Sequence, residues 1–247
     1  KGTELGMTYP TGYSVNMGLI PQLVDKDDVL IADELYHSSI ELGLGLSKAD
    51  KMIYGHSDMG ELENILKDAQ NNYNHAIVIT AGVFTMDGDI AKMDEIQDLA
   101  DEYGAMTYVD DSHGEGILGE GRGIAHEFGL TGRIDIEMGT FSKCLGGFGG
   151  MIAGEEELVN YAYNSSKTWL CSAAFPPHIA AINKKALEIV EKETDRVEKL
   201  WNLTKKFKKG IEAIGYDTGI SQTPIVPTIV GDAKMAHKLS DRLYEEG

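Results

Sequence analysis

The sequence predicts an α/β fold built on a largely parallel sheet. Three observations predict it. Short apolar runs of strand length alternate with amphipathic stretches of helical length. Chemistry-bearing residues cluster just after the strands, where open parallel sheets bind ligands. The chain has 247 residues, 42% hydrophobic and 25% charged, enough for a full core.

The elements follow in order. Thr11-Gly12-Tyr13-Ser14 opens a helix over about 12–25. Val29-Leu30-Ile31-Ala32 reads as a buried strand, and a helix follows near 37–48. Asp58 and Glu61 have capping-box spacing for a helix over 59–72. Ala76-Ile77-Val78-Ile79 is the next strand, and Ile96, Leu99 and Ala100 stripe a helix over 91–103. Met106-Thr107-Tyr108-Val109, Ile134-Asp135-Ile136-Glu137-Met138 and Met151-Ile152-Ala153 are further strands, with a helix over 155–167. After Pro176-Pro177, one long helix is predicted over about 178–213, stopped by Gly215. Pro224 to Val230 reads as an edge strand because of its prolines, and a last helix covers about 233–246. The domain reading is a large domain over 1–177, a connecting helix over 178–215, and the start of a smaller α/β domain over 216–247. The first residue is Lys1 and the last stretch reads as a helix with its cap, so the sequence reads as an excerpt of a longer protein.

Charge narrows the function. There are 22 basic and 40 acidic residues, a net charge of −18, which argues against binding nucleic acid or an anionic membrane. No apolar run approaches the roughly 20 residues of a membrane-spanning helix. Cys144 and Cys171 have no metal-ligand spacing, no metal site is read, and a reduced, cytoplasmic protein is expected. His56, His75, His126 and His237 belong to no motif and read as structural or exposed.

Three separated motifs carry chemistry: Gly82-Val83-Phe84-Thr85-Met86-Asp87-Gly88, Val109-Asp110-Asp111-Ser112-His113-Gly114, and Gly139-Thr140-Phe141-Ser142-Lys143 running into a glycine-rich stretch. Each follows a strand, so Thr85, Asp110, His113, Thr140 and Lys143 are expected at one sheet edge. A lysine amine, a carboxylate for a ring nitrogen and a helix start for a phosphate together suit pyridoxal 5'-phosphate. His37, after the Ile31 strand, is placed to stack on the ring.

With Thr11-Gly12-Tyr13 and Leu35-Tyr36-His37-Ser38-Ser39 added in order, the chain resembles the α-oxoamine synthases, pyridoxal-phosphate enzymes of fold type I. The resemblance spans nearly the whole chain. It implies an aspartate-aminotransferase-like large domain. It makes Lys143 the Schiff-base lysine and Asp110 the partner of the pyridine nitrogen, with His113 and Thr85 near the ring hydroxyl and His37 on the ring face. Gly12, Tyr13 and Thr140 fall to the phosphate, and Ser172 to the phosphate of a neighbouring subunit. It further implies a homodimer with sites at the interface, and amino-acid and acyl-CoA substrates joined into an aminoketone. Glycine with acetyl-CoA is the favoured pair. Alternatives are an 8-amino-7-oxononanoate synthase-like or serine palmitoyltransferase-like activity, an aminotransferase, or a non-catalytic member. Ala81 departs from the family, which usually has an acidic residue there. Because the family has further segments at both ends, the excerpt alone is expected to be inactive.

Overall fold

A computed structural model describes residues 1–247. The chain divides into two units, Lys1–Phe84 with Ile90–Val197, and Thr85–Asp89 with Glu198–Gly247.

The first unit holds a seven-stranded sheet. Its strands are β1 (Leu5–Tyr9), β2 (Val29–Asp33), β3 (Asp50–Tyr54), β4 (Ala76–Ala81), β5 (Met106–Asp110), β6 (Ile136–Thr140) and β7 (Gly150–Gly154). They lie in the order β1-β7-β6-β5-β4-β2-β3. From β3 to β6 every pairing is parallel; β7 runs antiparallel to both β6 and β1. The non-consecutive order comes from helical crossovers, which cover both faces. Strands so covered are shielded on both sides, and β2 and β6 are buried along their whole lengths, Glu137 and Asp33 included.

On one face, α1 (Gly12–Leu19) and α2 (Ser38–Leu46) bring Val15, Leu19, Ile40 and Leu44 against Leu30, Ala32, Ile77, Ile79 and Tyr108. On the other, α3 (Met59–Asn72) and α4 (Met93–Tyr103) bury Leu62, Leu66, Ile96 and Ala100. The start of α3 uses half of its expected box. Asp58 accepts from the Glu61 N–H at 2.9 Å, while the Glu61 carboxylate turns to the Gly55 N–H at 2.7 Å. Four helices complete the unit before its last residues: α5 (Ile124–Glu127), α6 (Glu156–Ser165), α7 (Lys167–Leu170) and α8 (Pro177–Lys192).

The second unit contains most of α9 (Asp195–Ala213), then α10 (Ala233–Glu246). Within it, Thr223 Oγ1 and the Gln222 N–H both donate to the Gly88 carbonyl, at 2.8 and 3.0 Å. No helix of either unit is long and apolar enough to cross a membrane.

Several expectations are corrected. The long helix over 178–213 is two helices, α8 and α9, parted at Glu193-Thr194. Pro224 to Val230 is no strand; only Ile229 bridges, to Asp217, because the two prolines remove ladder donors. The strand placed at Ile134 starts at Ile136, and the first helix ends at Leu19 in a short 3-10 turn. Strands β1 and β3 and helix α5 were not anticipated.

Candidate active site

The parallel strands put their carboxyl ends along one edge of the sheet, and that edge gathers the expected residues of the first unit. Asp110 ends β5 and is buried. Its register partners are Ala81 on β4 and Met138 on β6. Its carboxylate accepts the Ser112 N–H at 3.1 Å on Oδ1 and the Asn16 amide at 2.8 Å on Oδ2.

His113 lies in the turn that follows, partly buried. Burial, the Lys143 charge and His37 press its pKa down to about 4 against the opposing pull of Asp110. Its ring is therefore neutral at pH 7. Lys143 sits in the turn after β6. Crowding by protein lowers its pKa and Asp110 partly restores it. Its ammonium makes no hydrogen bond or ion pair, so it is the uncommitted cation of this edge.

Thr140 shapes that turn. Its hydroxyl donates to the Gly149 carbonyl at 2.8 Å and accepts the Ser142 N–H at 3.3 Å. Helix α1 starts against it. A Cβ at Gly12 would meet Thr140 Cβ at 3.3 Å, so the absence of a side chain lets the helix start approach this closely. Thr11 caps α1 by accepting the Ser14 N–H at 3.0 Å, which leaves the Gly12 and Tyr13 N–H groups for another acceptor. His37 is the cap of α2. Its Nδ1 accepts the Ser39 N–H at 3.2 Å, and its ring meets Tyr13 edge-on with centroids 6.3 Å apart. At this edge the Asp110 carboxylate is buried, while Tyr13, His37 and Lys143 are exposed.

Two further expected residues are exposed. Thr85 is on an exposed turn of the second unit. Ser172 is exposed after α7, its N–H donating to the Trp169 carbonyl at 3.2 Å.

Sequence reading missed Asn16, Ser39 and Tyr108, which bond to one another and to the set. An asparagine on the apolar face of α1 was the available signal. It also missed a second charged cluster, behind Asp110. Asp111, Glu115 and Glu137 are buried around Lys1 Nζ, at 3.0, 2.7 and 2.9 Å. The three carboxylates drive the lysine pKa well above its ordinary range, although burial opposes them. Burial pushes Asp111 up and Glu115 up to about 7, with Lys1 pulling both down. Asp111 also accepts the Ile124 N–H at 2.9 Å. Four glycines wall the cluster. A Cβ on Gly82, Gly114, Gly123 or Gly139 would stand 2.6, 2.0, 2.0 or 2.3 Å from a carboxylate oxygen. His56, read as structural, bonds the buried Asp33 at 3.0 Å and packs edge-on against Phe84.

Comparison with known proteins adds three findings. The family model of class I and II aminotransferases matches residues 3–247. An 8-amino-7-oxononanoate synthase of Thermoanaerobacter pseudethanolicus is 47% identical over 248 residues, covering 100% of this chain and 63% of that protein. Two solved structures share the fold. One is a Sphingomonas wittichii serine palmitoyltransferase (TM-score 0.94, 30% identity, 100% of this chain and 62% of that one). The other is an 8-amino-7-oxononanoate synthase of Francisella tularensis (TM-score 0.83, 25% identity, 99% of this chain and 71% of that one). The chain thus spans 63% of the length of the curated relative it matches.

Proposed function

The chain belongs to the class I and II aminotransferase family, in its α-oxoamine synthase branch, and from that premise we propose that its protein is a pyridoxal-phosphate-dependent acyltransferase of the 8-amino-7-oxononanoate synthase type. The observation that carries the proposal is the uncommitted ammonium of Lys143 at the edge where Asp110 supplies a buried carboxylate. The relatives favour this alternative over the glycine and acetyl-CoA pair that the sequence reading preferred. The product name fixes the chemistry. A methyl carbon beside the amine-bearing carbon calls for alanine. The remaining seven carbons, ending in a carboxylate, call for a dicarboxylic acyl thioester. Carbon dioxide leaves the amino acid and the CoA thiol leaves the acyl group.

The residues present fit the cofactor. The free N–H groups of Gly12 and Tyr13 at the start of α1, with Thr140 beside them, suit a phosphate. Asp110 suits a protonated ring nitrogen, and His37 a ring face. His113, neutral at working pH, suits the ring hydroxyl. Bound pyridoxal phosphate supplies an electron sink for the carbon next to the amine. Lys143 would hold the aldehyde carbon through its amine. Once displaced by the amino acid, it would take the Cα proton. Its lowered pKa raises the share of neutral amine that both tasks require. Residues 1–177 as the cofactor domain, 216–247 as the start of a smaller one, Ser172 and Thr85 as further cofactor contacts, a homodimer and a cytoplasmic setting belong to the same proposal.

The test uses the full-length protein with added pyridoxal phosphate. A visible absorbance band that borohydride traps on Lys143, absent in Lys143→Ala, is expected. Alanine with a seven-carbon dicarboxylic acyl-CoA should then turn over faster than glycine with acetyl-CoA. The reverse order restores the glycine reading, and a folded protein with no band refutes the enzyme.

A further inference from the structure

Asn16 is wholly buried in the second turn of α1, on a face otherwise given to Val15 and Leu19. A buried carboxamide needs partners for two donors and one oxygen. Asn16 has all three. Its Nδ2 donates to Asp110 Oδ2 at 2.8 Å and to Ser39 Oγ at 2.9 Å. Its Oδ1 accepts the Tyr108 hydroxyl at 2.7 Å. The donor and acceptor ends are fixed by chemistry, since a carboxylate facing the amide only accepts.

The chain of bonds continues. With its oxygen accepting from Asn16, the Ser39 hydroxyl has its own proton free for His37 Nδ1, at 2.7 Å. The Ser39 N–H points at the same nitrogen. Two donors on Nδ1 place the imidazole proton on Nε2. One carboxamide thereby ties together the end of β5, the start of α2 and the body of α1. These are the elements that hold the proposed ring-nitrogen partner and the proposed stacking ring.

We infer that Asn16 is a positioning residue for the proposed cofactor reaction, fixing the plane of the Asp110 carboxylate and, through Ser39, the tautomer of His37. The inference rests on the function proposed above. Asp110 takes two hydrogen bonds, from Ser112 and Asn16, so each oxygen keeps a lone pair for a ligand. Loss of the Asn16 bond leaves the carboxylate held by one backbone N–H and free to turn. Tyr108 stiffens the arrangement from below by holding the oxygen of the carboxamide.

The experiment compares wild type, Asn16→Leu, Tyr108→Phe and Ser39→Ala in the full-length protein. Three readouts other than turnover are used: the dissociation constant for pyridoxal phosphate, the pH titration of the visible band at saturating cofactor, and nitrogen-15 histidine spectra. Asn16→Leu is expected to weaken cofactor binding by about 10-fold, as loss of a hydrogen bond to a charged group does, and to move the pH midpoint of the band. Tyr108→Phe should move both in the same direction by less. Ser39→Ala should leave the band nearest to wild type while changing the His37 resonance. A role confined to packing would lower the melting temperature and leave the band midpoint of saturated protein where it was. If Asn16→Leu does not fold, Tyr108→Phe decides alone. Variants that bind and titrate as wild type does overturn the inference, as does a wild-type His37 protonated on Nδ1. A wild-type protein with no band at all brings down the proposed function first, and this inference with it.

Discussion

Asp110 and Asp111 are neighbours in the chain and lie in opposite electrostatic settings. Asp110 meets neutral donors only, the Asn16 amide and the Ser112 N–H. Asp111 meets a full ammonium and two more carboxylates, closely walled by glycines. The first arrangement keeps acceptor capacity open toward the sheet edge. The second ties its carboxylates to one another through a single buried ammonium. Burial is similar on both sides, so a buried acid near an active edge is not by itself a functional acid. What differs is whether its partners leave something for a ligand to do.

Removing the one cation should separate the two sides most. Lys1→Met strands three buried carboxylates and is expected to destabilise the protein by about 3–5 kcal/mol in a denaturant melt. A loss below about 1 kcal/mol would mean that water or protons already neutralise the cluster. Asp110→Asn is the counterpart. It keeps the shape and the Ser112 contact but turns an NH2 toward the Asn16 amide donor, so the melt should move by about 1–3 kcal/mol, less than for Lys1→Met. Turnover should fall by about 100-fold or more as the ring-nitrogen partner is lost. Equal stability losses for the two variants would erase the contrast.

Acid gives the subtlest reading, because the two sides respond with opposite signs. His113 has a folded pKa of about 4, below its unfolded value, so its contribution is full above pH 6.5 and is lost as pH falls toward 4. Glu115 is raised to about 7, so its group favours the folded state most below its unfolded value of 4.5 and loses that advantage as pH rises toward 7. In the wild type the two offset each other. Glu115→Gln should expose a melting temperature that drops on acidification from pH 7 to 4.5. His113→Asn should expose one that rises over the same range. Parallel profiles for the two variants would show that neither group controls the window.

Much of this was legible in the residues. The apolar runs at Val29 and Ala76 mark strands covered on both faces, and the ordered motifs brought Asp110, His113, Thr140 and Lys143 to one edge. Strand β3 was not legible because it is an edge strand whose exposed Asp50 and Lys51 break the apolar run. The segment from Pro224 looked like a strand because side-chain preference is visible in a sequence and missing N–H donors are easily discounted. The α8–α9 break was hidden because apolar spacing continues through Glu193-Thr194. Asn16 and Glu137 were the readable clues that went unused. A polar residue on an apolar stripe, or a Glu inside a buried strand, demands a partner, and only the fold shows which one.

The glycine walls around Lys1 bear on how this protein can diverge. A methyl group on any of four glycines collides with a carboxylate oxygen, and a lost acid removes that reason to be bare from Gly82, Gly114 and Gly139, whereas Gly123 stays glycine for its φ of 98°. Positions 82, 114 and 139 should therefore drift together with 1, 111, 115 and 137 rather than one at a time. A lineage that abandons the charges has to refill the space in the same episode, so intermediates along that path are the poorly folded ones.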